Sequence, residues 1–429
     1  MKAEIRRPDA MPPGVRALTY WVFCWMNRHI RVWRAIGNVL RRWPSLGNGI
    51  QVAARRSSVK RVLARARSFS NTSHTANLIA GDFLIGMDPG PRYDADKLLF
   101  DSILESLNTQ NGADAEAKRR VEQLTTSGSV REFDMVEDYL TWVVHRAISP
   151  AFGAATQSVV SASRDSPLDE ALERGYLHEI RHVAAHLFAG RLAPVNVQRR
   201  AEASAASLAS RVERMTPEIG MAWPASKAMP YSGIRRNGVG LAWVSHPVTV
   251  QSGALLVQEL LTRPKVYKAL REAAASLGQR VWMDLNFRKN VSNHVLELMR
   301  FRPVFPLLAR DVAREAEFDS GARRNAKCPA GSQLTVLSIA AMFDTHDTTD
   351  AGQFCPHRSA GVPEPWQYLM FGYGDRQCPA KHHAVTMLTS ALIGLLTLPE
   401  LRLAGRWGAR IRYDGPLICE MRMGCAKTN

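Results

Sequence analysis

No apolar run in this 429-residue chain has the length of a membrane span: the stretch from Ala17 to Met26 covers about ten residues, and a spanning helix needs about 20. No small-residue cleavage site follows that stretch, so neither an anchor nor a signal peptide is expected. The six cysteines (Cys24, Cys328, Cys355, Cys378, Cys419 and Cys425) include no Cys-x-x-Cys pair and no pairing pattern. That argues against a disulfide framework or a thiolate zinc site and suits a reducing cytoplasm. Internal repeats and low-complexity tracts are missing, as is any nicotinamide or flavin fingerprint. Acid is scarce at one end, where residues 1–67 hold fifteen Lys and Arg against only Glu4 and Asp9. This segment therefore carries +13 of the net +17, a charge that attracts anionic partners but does not define a fold.

What is present, 46% hydrophobic and 22% charged residues, is the balance of a globular chain with a sizeable core. Residues 1–48 form a basic segment in which Trp21, Trp25, Trp33 and Trp43 alternate with arginines. An amphipathic surface helix is one reading, and packing of the aromatics on the main domain is the preferred one. From residue 49 to 429 a single domain is expected. Ile50 to Ala53 reads as a strand, and Ser57 as the N-cap of a helix carrying Val59, Val62 and Leu63. Helical periodicity runs through Leu98–Leu107, Met135–Ala147, Ala205–Met215, Val250–Leu261, Val291–Met299 and Ala384–Leu396, whereas Gln333–Ile339 is the clearest strand. The fold class is mainly α with a small β component.

The most informative segment is Phe371-Gly-Tyr-Gly-Asp-Arg-Gln-Cys378-Pro-Ala380, a glycine-rich loop that leads a cysteine onto the start of an apolar helix. A thiolate there gains from the helix dipole and free N–H groups, which predicts a lowered pKa and a metal-ligand role. Gly372 and Gly374 permit positive φ, Phe371 shields the sulfur and Arg376 meets an anion. Taken alone, such a cysteine is more often structural. The full pattern resembles the haem-binding signature of the cytochrome P450 family, Phe-x-x-Gly-x-Arg-x-Cys-x-Gly, with Ala380 in place of the last glycine. The resemblance implies that Cys378 is the iron ligand, that Arg376 contacts a haem propionate, and that the cofactor is heme b (iron protoporphyrin IX).

Further motifs follow the family order. Glu297-Leu-Met-Arg300, followed by Pro303, resembles the Glu-x-x-Arg helix, and Arg310 a second propionate arginine. Cys328-Pro-Ala-Gly331 resembles a turn into a short strand, and Phe354-Cys-Pro-His-Arg358 the segment whose arginine completes a buried Glu297–Arg300–Arg358 network. Phe83 to Pro89 resembles the approach to the third helix, but its usual His-x-x-x-Arg contact is missing; Tyr93 and Lys97 keep the i,i+4 spacing and could substitute, or simply open a helix. Trp142 and Arg146 fall too late in the chain for a haem role.

The stretch from Ile234 to Thr249 aligns on the family's distal helix, yet its acid position holds Pro247 and its alcohol position Val248. Neither residue carries a proton, and proline frees a carbonyl about four residues earlier. His246 and Thr249 are the nearby polar candidates for proton handling. By resemblance the chain is a monomeric, cytoplasmic haem-thiolate monooxygenase that inserts one oxygen atom from O2 into an apolar small molecule. An acidic ferredoxin or flavodoxin-type donor supplies electrons, no nucleic acid is bound, and membrane contact is at most peripheral. The missing acid–alcohol pair keeps open a peroxygenase or a rearrangement or cyclisation enzyme, and beyond those a non-catalytic haem protein.

Overall fold

A computed structural model describes residues 13–41, 50–71, 83–125, 132–152, 167–222, 230–319, 325–346, 350–358, 368–404 and 410–425. Thirteen α-helices order this fold among the described residues: α1 (Pro13–Arg28), α2 (Ile30–Leu40), α3 (Arg56–Ala64), α4 (Pro91–Ser106), α5 (Thr109–Leu124), α6 (Thr141–Ile148), α7 (Pro167–Ala189), α8 (Val195–Ala222), α9 (Tyr231–Leu261), α10 (Pro264–Leu277), α11 (Leu285–Phe301), α12 (Ser338–Met342) and α13 (Lys381–Thr397). Their ends follow local chemistry. Pro91 and Pro264 open α4 and α10, where a missing N–H costs nothing. Asn108 and Asp284 cap α5 and α11 by accepting the N–H of Asn111 at 3.2 Å and of Phe287 at 2.7 Å.

The β component is small. Strands β1 (Ile50–Ala53), β2 (Phe69–Ser70), β4 (Leu308–Val312) and β7 (Gln333–Val336) form a sheet in the order β1-β7-β4-β2, with β1 parallel to β7 and the other pairs antiparallel. Strands β3 (Phe133–Asp134), β8 (Leu401–Leu403) and β9 (Ile411–Asp414) pair antiparallel with β10 (Leu417–Cys425). The hairpin of β5 (Ala316–Asp319) and β6 (Asn325–Cys328) stands apart.

Two local expectations change. The strand expected over Gln333–Ile339 stops at Val336, and Ser338 begins α12, because Leu337 donates its N–H to Ala53 and closes the ladder there. Ser57 lies inside α3, whose N-cap is Arg55 in an extended conformation.

The largest core cluster gathers α4 to α11 and α13, so the 31-residue α9 is buried along most of its length. A second cluster joins α2, α3 and the first sheet, with Ile30, Trp33 and Leu40 beside Val52, Val59 and Leu337. The N-terminal aromatics divide. Trp33 is buried and Gly37 of α2 lies so close to α12 that an added Cβ would sit 2.5 Å from that of Ala340, whereas Trp21 and Trp25 of α1 face outward. Packing therefore accounts for α2 but not for the outer face of α1, and Trp43 lies outside the described residues.

Candidate active site around Cys378

Cys378 lies three residues before α13, in a loop turned by two glycines with positive φ, Gly372 (78°) and Gly374 (73°). Gly374 is required for space as well, since a Cβ there would meet the Cα of Ala64 at 3.0 Å. The Cys378 N–H donates to the Phe371 carbonyl at 2.8 Å, and the Ala380 N–H donates to the sulfur. Ala380 has φ −88°, so the position that is glycine in the family signature needs no glycine here. Phe371 is buried beside the loop, with the Lys381 ammonium 5.7 Å from its ring centre.

The expected lowering of the thiol pKa is overturned. Burial pushes Cys378 up to about 11, and the Ala380 N–H and the Lys381 charge oppose it only in part. A thiol so placed loses its proton when a metal cation supplies the missing stabilisation.

The structure shows how the flanking arginines are held. Arg376 donates to the Phe69 and Ala66 carbonyls and pairs with Asp88, which also accepts from Ser70. Arg310, on β4, is 8% exposed and, among the described residues, donates to the Asn71 side chain at 3.2 Å and the Ala309 carbonyl at 2.8 Å. Burial pulls both guanidinium groups down to about 10, and for Arg310 no carboxylate among the described residues counters it. A buried cation without an acid partner is costly unless an anion joins it. This donor set, a partly buried thiol with two largely buried guanidinium side chains, fits a haem: Cys378 would hold the iron, and Arg310 and Arg376 the propionates.

The other charged motif assembles on α11. Glu297 is fully buried and pairs with Arg300 through two hydrogen bonds of 2.9 and 2.8 Å, while Arg358 stands 3.6 Å from the same carboxylate. Arg300 also donates to the carbonyls of Met342, Ala351 and Gln353, and Glu297 accepts the Cys355 N–H at 2.8 Å. These bonds tie α11, α12 and residues 350–358 together ahead of the cysteine loop.

The expected residues upstream separate. Tyr93 is buried and donates to the Asp375 carbonyl at 2.6 Å, so it braces the cysteine loop. Lys97 points elsewhere, forming a part-exposed pair with Asp101 at 2.6 Å. Trp142 and Arg146 belong to a separate cluster with Glu173.

On α9, Val244, Ser245 and Val248 keep partial solvent access amid buried neighbours, and this is the side that the family resemblance would set over the haem cleft. At 100° per residue, His246 lies roughly opposite Val248. Its Nε2 hydrogen-bonds the Thr141 carbonyl on α6 at 3.0 Å, and burial together with His145 pulls its pKa down to about 3. A water-sized space of about 10 Å³ adjoins it, lined also by Arg181 and Gln251. Thr249 is buried one position further round. The polar group on the cleft side is Ser245, which the sequence reading missed and whose hydroxyl donates to the Leu241 carbonyl at 2.5 Å. Its signal was available in the Leu241, Ser245, Val248 and Ser252 stripe, which has the 4-3-4 spacing of one helix face.

Fold and site together define a haem-thiolate protein class, and the comparisons agree. Residues 249–403 match the family model described as Cytochrome P450. Curated relatives include the trimethyltridecatetraene synthase of Zea mays, 32% identical over 188 residues (38% of this chain, 32% of that one). Another is cytochrome P450 81D1 of Arabidopsis thaliana, 27% identical over 186 residues (41% and 33%). The chain thus spans about a quarter to a third of the length of the curated relatives it matches. Among solved structures, CalO2 superposes with a TM-score of 0.67 at 19% identity, covering 97% of this chain and 99% of that one. P450BioI, solved with a fatty-acyl carrier protein, gives 0.67 at 15% identity with 92% and 98% coverage. Residues 249–403 thus match the cytochrome P450 family, and the described chain as a whole has the fold of the solved structures of that family.

Proposed function

We propose that the protein is a haem-thiolate monooxygenase that inserts one oxygen atom into an apolar small molecule, with electrons from a separate acidic iron–sulfur or flavin protein. The observation that carries this reading is the partly buried Cys378 sulfur, which accepts the Ala380 N–H between the glycine-turned loop and α13 and is accompanied by Arg310, a buried cation with no acid partner among the described residues. The haem, when bound, supplies oxygen activation and transfer. The chain's own residues do the rest. Cys378 gives its thiolate as ligand, Arg310 and Arg376 orient the cofactor through its carboxylates, and Tyr93 fixes the loop. Val244 and Val248 offer an apolar wall to the substrate. No helix among the described residues is long and apolar enough to cross a membrane.

A peroxygenase reading has its own support. The cleft side of α9 carries Val248 where the family has an alcohol, and His246 is turned towards α6. Protons then have to come from water, from Ser245 or from the substrate, and hydrogen peroxide arrives already protonated.

Cys378→Ser is expected to abolish the far-red Soret band of the reduced carbon monoxide complex, while Cys328→Ser and Cys355→Ser retain it. A Cys378→Ser protein that kept the band would overturn the assignment. Product formed per electron from a surrogate reductase, set against product formed with hydrogen peroxide, separates the two readings.

A further inference from the structure

The outer side of α1 is uncovered. Of eleven large apolar side chains exposed on the described surface, five lie on this 16-residue helix: Val15, Leu18, Trp21, Val22 and Trp25. At 100° per residue they share an arc of about 120°, which holds no charged residue. The opposite side fixes the helix to the body. Cys24 is buried, Tyr20 packs against the Ala189, Ala193 and Val197 cluster at the α7–α8 turn, and Arg28 lies over the Tyr413 ring at 4.5 Å. The stripe is therefore presented by a docked helix.

Its sequence neighbourhood is one-sided in charge, although Asp414 lies near Tyr20 and Cys24 on the docked side. Between residues 10 and 67 the chain holds twelve Lys and Arg and no Asp or Glu. A second copy of this surface would meet it with like charge, which disfavours self-pairing. An anionic lipid surface suits both features, since tryptophan favours the headgroup level, aliphatic side chains enter the acyl boundary and basic residues are drawn to the charge.

We propose that α1 is a monotopic membrane contact, its Val15–Trp25 side seated in the headgroup–acyl boundary of an anionic bilayer with the helix lying in the plane of the surface. The full-length haem-loaded protein is expected to co-sediment with mixed phosphatidylglycerol–phosphatidylcholine vesicles, more weakly with phosphatidylcholine alone, and less as salt is raised. Leu18→Glu/Trp21→Glu should weaken that binding by about tenfold or more at unchanged thermal midpoint. Val15→Ser/Trp25→Ser should weaken it in the same direction without adding charge. Undiminished binding by both variants, equal binding to neutral vesicles, or no binding by the unmodified protein would each overturn the proposal. So would a lipid-free dimer that the substitutions dissolve, which would assign the stripe to a second copy, or retention on an acidic protein with no vesicle binding.

Discussion

The meander that leads to Cys378 and the cleft side of α9 solve opposite problems. Around Glu297 and Arg300 the charges are fully buried, and each is answered by a carboxylate, a guanidinium or a backbone carbonyl. On α9 the cleft side is lined by valines and one serine, while the strongest polar group, His246, turns the other way and is kept neutral. A buried charge network tolerates no missing member, so it demands fixed residue types at fixed spacings. An apolar helix face demands only volume and periodicity, and different residues meet that demand. The charge network ahead of the cysteine loop is thus held by partners between residues 297 and 358, whereas the cleft side is shaped by what α9 packs against.

The sharpest way to break this contrast is Glu297→Gln. It strands Arg300 in the interior, while Arg358 keeps Asp350 at 2.8 Å, and should cost roughly 3–5 kcal/mol, read as a lowered denaturation midpoint and loss of haem-loaded protein. A well-folded, haem-replete variant impaired only in turnover would give the pair a chemical role instead.

His246 tests the other side. Its folded-state pKa is about 3, below the unfolded value of 6.5, so the neutral form is the one that folds. The contribution is fully present above pH 6.5 and is lost progressively as pH falls towards 3. Lowering pH from 7 to 5 should therefore cost about 2 kcal/mol through this residue alone. His246→Gln, which keeps a donor for the Thr141 carbonyl but does not titrate, should lose that much less over the same interval in paired denaturant titrations. Equal losses in both proteins would mean that the ring is protonated when folded.

A smaller effect separates Arg310 from Arg300, two buried guanidiniums with different partners. Arg310→Gln removes a cation that lacks an acid among the described residues, so the haem-free chain should be no less stable. Haem release to a scavenging apoprotein should nevertheless become about tenfold faster, about 1.4 kcal/mol of lost anchoring. Unchanged release would leave Arg310 without a cofactor role.

The order of motifs from Glu297 to Cys378 was legible in the sequence because each rests on chemistry within a few residues: an i,i+3 ion pair, a glycine with positive φ, a cysteine before a helix. The mainly α fold was legible as 3.6-residue periodicity, and Ile50–Ala53 as a strand. Three matters were decided only by the tertiary structure. The Cys378 thiol rises where the helix start alone argued for a fall, because desolvation depends on everything packed around the sulfur. His246 faces α6, since the direction a side chain takes is set by which neighbouring element covers each face of its helix. Trp33 is buried while Trp21 and Trp25 are exposed, although all lie in one basic, aromatic segment. Composition counts those tryptophans alike; only the docking of α2 on α12, and of one side of α1 on the body, separates them.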